Sequence, residues 1–212
     1  MIKRDKNKIY QQTKAVYKKL GIKYLENIKD LRPAELNEFV KMLPMGAKVL
    51  DVGSAGGRDA QTFLDKGFNV TGIDLTQEFV YFTQKLCPDG KFYQMDVLDL
   101  NFPDDEFDAV WAHAVLLHLY DDDILKALVN LHKVLKPKGK IFVSLKLGSK
   151  ETIVIDKLSN GEERYFNLTT KEKILNYLKE SGFEVIKYAV VPDYAGRDDV
   201  KWITIFAEKA SG

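Results

Sequence analysis

The chain opens on a helical pattern of apolar and polar positions. Tyr10, Tyr17 and Tyr24 recur at a spacing of seven, and Ile9, Val16 and Leu20 fill out the same stripe. A stripe of this kind predicts a helix that packs its aromatic face on whatever core follows. Arg32-Pro33 marks a boundary, and Pro33 is placed to open a short helix through Leu43 that Pro44-Met45-Gly46 closes. From Lys48 the pattern changes to short apolar runs alternating with amphipathic segments. The runs Lys48–Gly53, Asn69–Asp74, Phe92–Met95, Phe107–Ala112 and Ile141–Leu147 read as strands. Helices are expected between them, one stopping at Gly67, one capped by Thr76, and one opened by Asp121-Asp122-Asp123 with Ile124, Leu128, Leu131 and Leu135 on its apolar face. Pro137-Lys138-Gly139 should turn the chain into the fifth strand. Thr169 should start a helix reaching Ser181-Gly182, before two final strands, Phe183–Val190 and Trp202–Ala207, that lack a helix between them.

Strands alternating with helices imply a parallel sheet covered on both faces, and the two last strands imply an antiparallel hairpin at one edge. The expected fold is therefore α/β: a three-layer α-β-α sandwich around a seven-stranded, mostly parallel sheet with one antiparallel strand. With 212 residues and no linker or repeat, one domain is expected over 1–212, with 1–45 as an N-terminal helical cap and 148–168 as an inserted, lid-like loop. Composition narrows the picture further. Apolar residues make up 45% and charged residues 30%, which excludes intrinsic disorder, and no apolar run nears the roughly 18 residues of a membrane span. Charges nearly cancel at +1, so nothing draws the whole chain to nucleic acid or anionic lipid. The basic run Lys3 to Lys8 reads as a solvated face. A lone cysteine, Cys87, rules out an intramolecular disulfide and a multi-cysteine metal site, and no secretory signal follows Met1. A cytoplasmic chain without a metal is expected.

Candidate chemistry sits where the first strand meets its helix, in Asp51-Val52-Gly53-Ser54-Ala55-Gly56-Gly57-Arg58. Small residues there let the backbone approach a ligand with helix N–H groups aimed at it, at the strand ends where open parallel sheets bind ligands. About 20 residues on, Asp74 ends the second strand, suited to accept hydrogen bonds from ribose hydroxyls. The Gly-x-Gly-x-x-Gly fingerprint of dinucleotide binding is missing, because position 55 is alanine and position 58 arginine. Asp51 would also repel a pyrophosphate, whereas it suits a ligand carrying an ammonium group. S-adenosylmethionine carries an ammonium and a sulfonium and no phosphate, and fits this turn better than NAD.

These residues resemble the motifs of class I S-adenosylmethionine-dependent methyltransferases. Val49-Leu50-Asp51-Val52-Gly53-Ser54-Ala55-Gly56-Gly57-Arg58 resembles the first motif, Gly72-Ile73-Asp74-Leu75-Thr76 the second and Gln94-Met95-Asp96-Val97 the third. Phe102–Val110 is similar to the segment entering the fourth strand, and Leu131–Lys140 to the helix-turn before the fifth. The chain looks most like the small stand-alone enzymes of tellurite-resistance and ubiquinone-biosynthesis type. The resemblance implies that Asp51 lies near the methionine ammonium and that Gly53, Ser54, Ala55 and Gly57 approach the methionine moiety. It places Asp74 on the ribose, Leu75 against the adenine, Asp96 on its amino group with Val97 giving a backbone contact, and Ala112 and His113 at the methionine end. Ala55 departs from the usual middle glycine.

Outside those motifs, His113 is the candidate proton acceptor, with His118 a weaker one and His132 structural. Tyr17, Arg164, Tyr165 and Arg197 are candidate acceptor-site residues, the middle two from the inserted segment. The tyrosine stripe is expected to pack on the sheet, the alternative implied by the resemblance being that Tyr10 and Tyr17 fold over the cofactor, and Cys87 is expected to have no nucleophilic duty. The function expected is methyl transfer to a small-molecule acceptor. A tRNA or protein methyltransferase, or a non-catalytic S-adenosylmethionine-binding protein, would keep the same cofactor motifs; a dehydrogenase would not.

Overall fold

The structure is a computed structural model and describes residues 6–155 and 160–210. Residues 3–5 of the basic run and 156–159 of the inserted segment lie outside the described residues. The first helix, α1 (Lys6–Ile28), is followed by α2 (Glu35–Lys41), then β1 (Lys48–Val52), α3 (Arg58–Asp65), β2 (Asn69–Asp74), α4 (Gln77–Leu86) and β3 (Lys91–Gln94). Next come β4 (Phe107–His113), a one-turn 3-10 helix at Leu116–His118, α5 (Asp121–Val134) and β5 (Leu135–Lys146). A hairpin of β6 (Glu151–Ile155) and β7 (Glu163–Asn167) precedes α6 (Lys171–Glu180), β8 (Phe183–Pro192) and β9 (Lys201–Lys209).

Seven strands form one sheet in the order β3-β2-β1-β4-β5-β9-β8. All neighbours are parallel except that β9 runs antiparallel to both β5 and β8. The last strand is thus inserted between β5 and β8, leaving β8 at the edge. The topology reverses between β1 and β4, and it is at such a switch point, outside the carboxyl ends of the strands, that an open sheet forms a crevice.

The central strands β1, β4 and β9 and the second half of β5 are buried on both faces, and strand alternation sorts their side chains between them. On β4, Val110 and Ala112 join the face covered by α5 and α6 through Ile124, Leu128, Leu131, Ile174 and Leu178. Ala109 and Trp111 join the opposite face, with Leu36 and Phe39 of α2 and Ala60 and Phe63 of α3. Trp111 stacks on Phe142 at 4.0 Å and donates its indole N–H to Asp59 at 2.9 Å.

Several boundaries differ from the sequence reading. The strand β5 begins at Leu135, so Pro137-Lys138-Gly139 lies inside a strand whose register with β4 shifts between Phe107 and Ala109, not in a turn before it. Leu135 caps α5 instead of belonging to its face. The helix expected from Thr169 starts at Lys171, with the Thr170 hydroxyl accepting from Lys173 N–H at 3.3 Å. Thr76 holds the N-cap position of α4 without a side-chain bond to the helix; its own N–H is taken by Asp74 Oδ1 at 2.8 Å. The segment expected as a loop over 148–168 contains the β6–β7 hairpin, paired from Glu151↔Asn167 to Ile155↔Glu163.

Candidate active site

Two neighbouring cavities that share lining residues open at the carboxyl ends of β1, β2 and β4. The smaller, about 130 Å³, lies between Asp74, Leu75, Asp96 and Val97 on one side and Tyr10, Thr13, Tyr17 and Tyr24 of α1 on the other. The larger, about 510 Å³, runs from the glycine turn past His113 to Lys146, Arg164, Phe166, Tyr194 and Trp202. Gly53, Ala55, Ala114, Tyr17, Tyr24 and His118 border both.

The turn is held open by its own sequence. Gly53 N–H and Ser54 N–H both donate to Ile73 C=O, at 2.8 and 3.0 Å, and Asp74 Oδ2 accepts from Ala55 N–H at 3.0 Å. Ala55 sits at φ 44°, the left-handed region where a glycine is the easy choice. Gly57, at φ 77°, has a different duty from the one expected. It lines neither cavity, and a Cβ there would come within 2.6 Å of Thr83 on α4, so it serves the close packing of α3 on α4.

The carboxylates carry the electrostatics. Asp51 is buried, and its Oδ2 has no hydrogen-bond partner among the described residues. Burial, with the nearby charges of Asp59 and Asp74, pushes its pKa well above the usual carboxylate range. Asp74 is also raised by burial, against the N–H groups of Thr76 and Ala55 that favour its anion. Asp96 accepts from Tyr10 O–H at 2.8 Å and from Leu98 N–H at 2.9 Å.

Sequence reasoning overlooked the pair beside them. Arg58 is bidentate to Asp59 at 2.7 and 2.8 Å and donates to the carbonyls of Ile28 and Leu31 at 3.2 and 2.5 Å, tying the end of α1 to the glycine turn. Against the upward push of burial, Arg58 holds Asp59 below its ordinary pKa. Arg58 follows the glycines directly, and a helix-opening Arg-Asp pair was the available signal.

His113 projects from the end of β4 into the larger cavity, stacked with Trp202 at 6.2 Å and edge-on to Tyr194 at 5.2 Å. Its Nε2 has no partner among the described residues, and burial pushes its pKa from 6.5 down to about 4. Its neighbour Ala112 points the other way, into the core, and lines neither cavity; Ala114 occupies the place expected of it. Strand alternation makes the same correction on β7. Arg164 and Phe166 border the cavity, whereas Tyr165 lines neither cavity and packs on Tyr120 at 4.7 Å.

His118 is engaged on both ring nitrogens. Tyr165 C=O can only accept, so Nδ1 (2.9 Å away) carries the proton, and Nε2 accepts from Tyr17 O–H at 2.8 Å. Arg164 Nη1 donates in turn to the Tyr17 oxygen at 3.2 Å. Burial holds His118 down to about 3, so it stays neutral as this network requires. The tyrosine stripe therefore does not pack on the sheet as expected; Tyr10 and Tyr17 reach polar groups at the mouth of the smaller cavity, and Tyr24 stacks on Phe79 at 6.1 Å. Arg197 lines the larger cavity while bidentate to Asp193, which also accepts from Trp202 Nε1 at 2.8 Å. Burial opposes that charge, but Arg197 and Trp202 bring Asp193 down to about 2.

Cys87 is buried, pushed up to about 11 by burial, and distant from thiolate chemistry. His132 packs edge-on to Phe183 at 5.3 Å. Among the described residues no group of three His, Cys, Asp or Glu could hold a metal ion, and no helix is long and apolar enough to cross a membrane.

Residues 50–143 match the family described as the methyltransferase domain. Over 106 residues the chain is 38% identical to 2-methyl-6-phytyl-1,4-hydroquinone methyltransferase of Synechocystis sp., covering 48% of this chain and 33% of that protein. Over 156 residues it is 30% identical to phosphoethanolamine N-methyltransferase 3 of Arabidopsis thaliana, covering 70% of this chain and 31% of that one. The chain thus spans about a third of the length of these curated relatives. Among solved structures, its fold is similar to that of 1,6-didemethyltoxoflavin-N1-methyltransferase of Burkholderia thailandensis, which holds S-adenosylhomocysteine. The TM-score is 0.77 at 21% identity, covering 98% of this chain and 91% of the other.

Proposed function

We propose that the chain, whose residues 50–143 match the methyltransferase domain family, is a class I S-adenosylmethionine-dependent methyltransferase that transfers a methyl group to a small-molecule acceptor. The observation that carries this reading is Asp51: a buried carboxylate oxygen without a partner among the described residues, beside backbone that a ligand can approach, is suited to an ammonium group. The two carboxylates at the ends of β2 and just beyond β3 complete the fit. Asp74 would take the ribose hydroxyls and Asp96 the adenine amino group, each carboxylate having lone pairs beyond those its present donors use. Leu75 and Val97 would flank the ring.

When bound, the donor supplies a methyl group already activated by its sulfonium, so the acceptor's lone pair forms the new bond as the carbon–sulfur bond breaks. The protein then has to hold the acceptor in line, exclude water and receive any proton the acceptor loses. His113 borders the larger cavity and is placed to receive that proton, being neutral above about pH 4 with its Nε2 unpartnered among the described residues. We read the described residues of the segment 1–45 as a cap over the donor and those of 148–168 as a lid over the acceptor, with α1 tied to the β6–β7 hairpin by Lys19–Glu162 at 2.5 Å and Lys23–Asn160 at 3.2 Å. A cavity of about 510 Å³ beneath that cover favours a small acceptor over tRNA or protein. A cytoplasmic setting fits the single buried thiol.

Calorimetric titration with S-adenosylhomocysteine, with NAD in parallel, tests the reading. Micromolar binding of the first alone is expected, and Asp74→Ala should weaken it at least tenfold through loss of charge-assisted hydrogen bonds. Binding of NAD instead, or of neither, would overturn it.

A further inference from the structure

One buried acid of the larger cavity has no part in the chemistry above. Asp59, on the first turn of α3, is only 7% exposed and borders the same cavity as His113. Three donors fix its carboxylate: Arg58 Nε and Nη2 at 2.7 and 2.8 Å, and Trp111 Nε1 at 2.9 Å. Trp111 precedes His113 by two residues on β4, so both rings stand on one face of the sheet. They lie nearly parallel, 11° apart with centres separated by 5.9 Å. Phe142 is close to parallel with both, at 4.0 and 6.3 Å, and holds the arrangement from β5.

An acid that only held Arg58 against the carbonyls of Ile28 and Leu31 would need no bond to β4. The indole bond turns the carboxylate toward the strand that carries His113, and the two groups act on each other. Burial pushes His113 down to about 4, against which Asp59 acts upward, while Arg58 adds to the lowering. His113 in turn is among the groups that, after Arg58, lower Asp59 against the push of burial. The remaining charges of the cavity stand elsewhere. Asp193 is bidentate to Arg197, and Lys146 and Arg164 lie against the Phe166 ring. Asp51 belongs to the glycine turn, and Glu26, Lys29 and Arg32 are exposed at the rim.

Resting on the reading of His113 as the group that receives the acceptor's proton, we propose that Asp59 is a positioning residue for that step: held by Arg58 and Trp111, its negative charge stabilises the imidazolium that His113 becomes. As the acceptor's lone pair bonds to the methyl carbon, the electrons of the carbon–sulfur bond stay on sulfur and the acceptor's proton passes to the imidazole. The ring thereby turns from neutral to cationic, and Asp59 keeps its own charge throughout. A carboxylate already fixed by three donors gives this stabilisation without reorganising at the moment of reaction. Arg58 opposes it, so that His113 stays neutral and receptive until a proton is offered.

The chain has three histidines, so the Cε1 proton resonance of His113 can be followed by NMR against pH and identified by its loss in His113→Gln. Asp59→Asn should move its titration midpoint down by about one pH unit or more, and Arg58→Met should move it up by a similar amount. A pair that only braces the fold would send both variants the same way, or neither. Thermal melts at pH 7 establish that each variant is folded. If Asp59→Asn is not, the double variant of Arg58→Met with Asp59→Asn, which removes both buried charges together, takes its place and should titrate lower than Arg58→Met alone. Midpoints that stay together, or that shift in one direction, would overturn this inference. Calorimetry of the wild type with S-adenosylhomocysteine is read separately: no binding there would remove the methyltransferase reading, while the titration would still decide whether Asp59 governs the charge of His113.

Discussion

Ala55 and Gly57 sit two residues apart in the same turn, both at positive φ, 44° and 77°, yet they answer to different constraints. An L residue in the left-handed region costs roughly 1–2 kcal/mol, so Ala55→Gly should relieve strain, offset by the greater freedom glycine gains on unfolding, about 0.4–1 kcal/mol. The expected outcome is a thermal midpoint unchanged or slightly raised. Gly57→Ala adds the same backbone cost to a Cβ only 2.6 Å from Thr83, and should destabilise by roughly 1–3 kcal/mol in a denaturant titration. A neutral Gly57→Ala would contradict the packing assigned to it. At this scale the motif residues Asp51, Asp74 and Asp96 were legible because their chemistry depends on sequence position at strand ends. Gly57, Ala112 and Tyr165 were misplaced because motif spacing does not say which face of a strand or turn a side chain takes. Strand alternation does: His113 and Arg164 face the cavity, so Ala112 and Tyr165 cannot.

Among the elements, α1 is the one whose role the hydrophobic pattern misjudged. Its tyrosines repeat as a core stripe would, but their hydroxyls are spent on Asp96 and His118. A periodic pattern shows which face is covered and is silent on whether a sheet or a ligand site covers it. Tyr17→Phe removes the donor to His118 Nε2 and leaves a buried acceptor unsatisfied, a loss of about 1–3 kcal/mol. That loss should fall on the attachment of α1, so amide exchange in α1 is expected to quicken in Tyr17→Phe while β4 and β5 stay protected. Uniform quickening across the sheet would mean that the bond supports the core instead. The hairpin was legible only as an insertion, since its strands carry Arg164 and Asn167 inward and lack the apolar alternation of the main sheet.

Across the molecule, the alternation of the first five strands with helices was legible in the hydrophobic pattern and its glycine and acid punctuation, whereas their order in the sheet and the place of β9 were not. Its burial on both sides is visible in the run Trp202–Ala207, and an edge position was left to β8. Burial of His113 and His118 also sets a pH dependence for the whole fold. Both stay neutral in the native state down to about 4 and about 3, while in the unfolded chain they protonate near 6.5. Unfolding therefore takes up protons below pH 6.5. Stability should be full above that value and fall as pH drops toward 4 and then 3, by up to about 1.4 kcal/mol per pH unit for each ring. Denaturant titrations of the wild type and His113→Gln should show a shallower fall in the variant between pH 6.5 and 4; identical slopes would contradict a neutral buried His113.

The central claim is that the two cavities form one site, the donor's adenosine in the smaller and its methionine end beside the acceptor in the larger, meeting at Gly53 and Ala55. A crystal structure with S-adenosylhomocysteine tests it most directly. The account predicts adenosine between Asp74 and Asp96 beneath Tyr10 and Tyr17, the methionine ammonium at Asp51, and the sulfur directed toward His113. Ligand bound elsewhere, or an ammonium remote from Asp51, would contradict it.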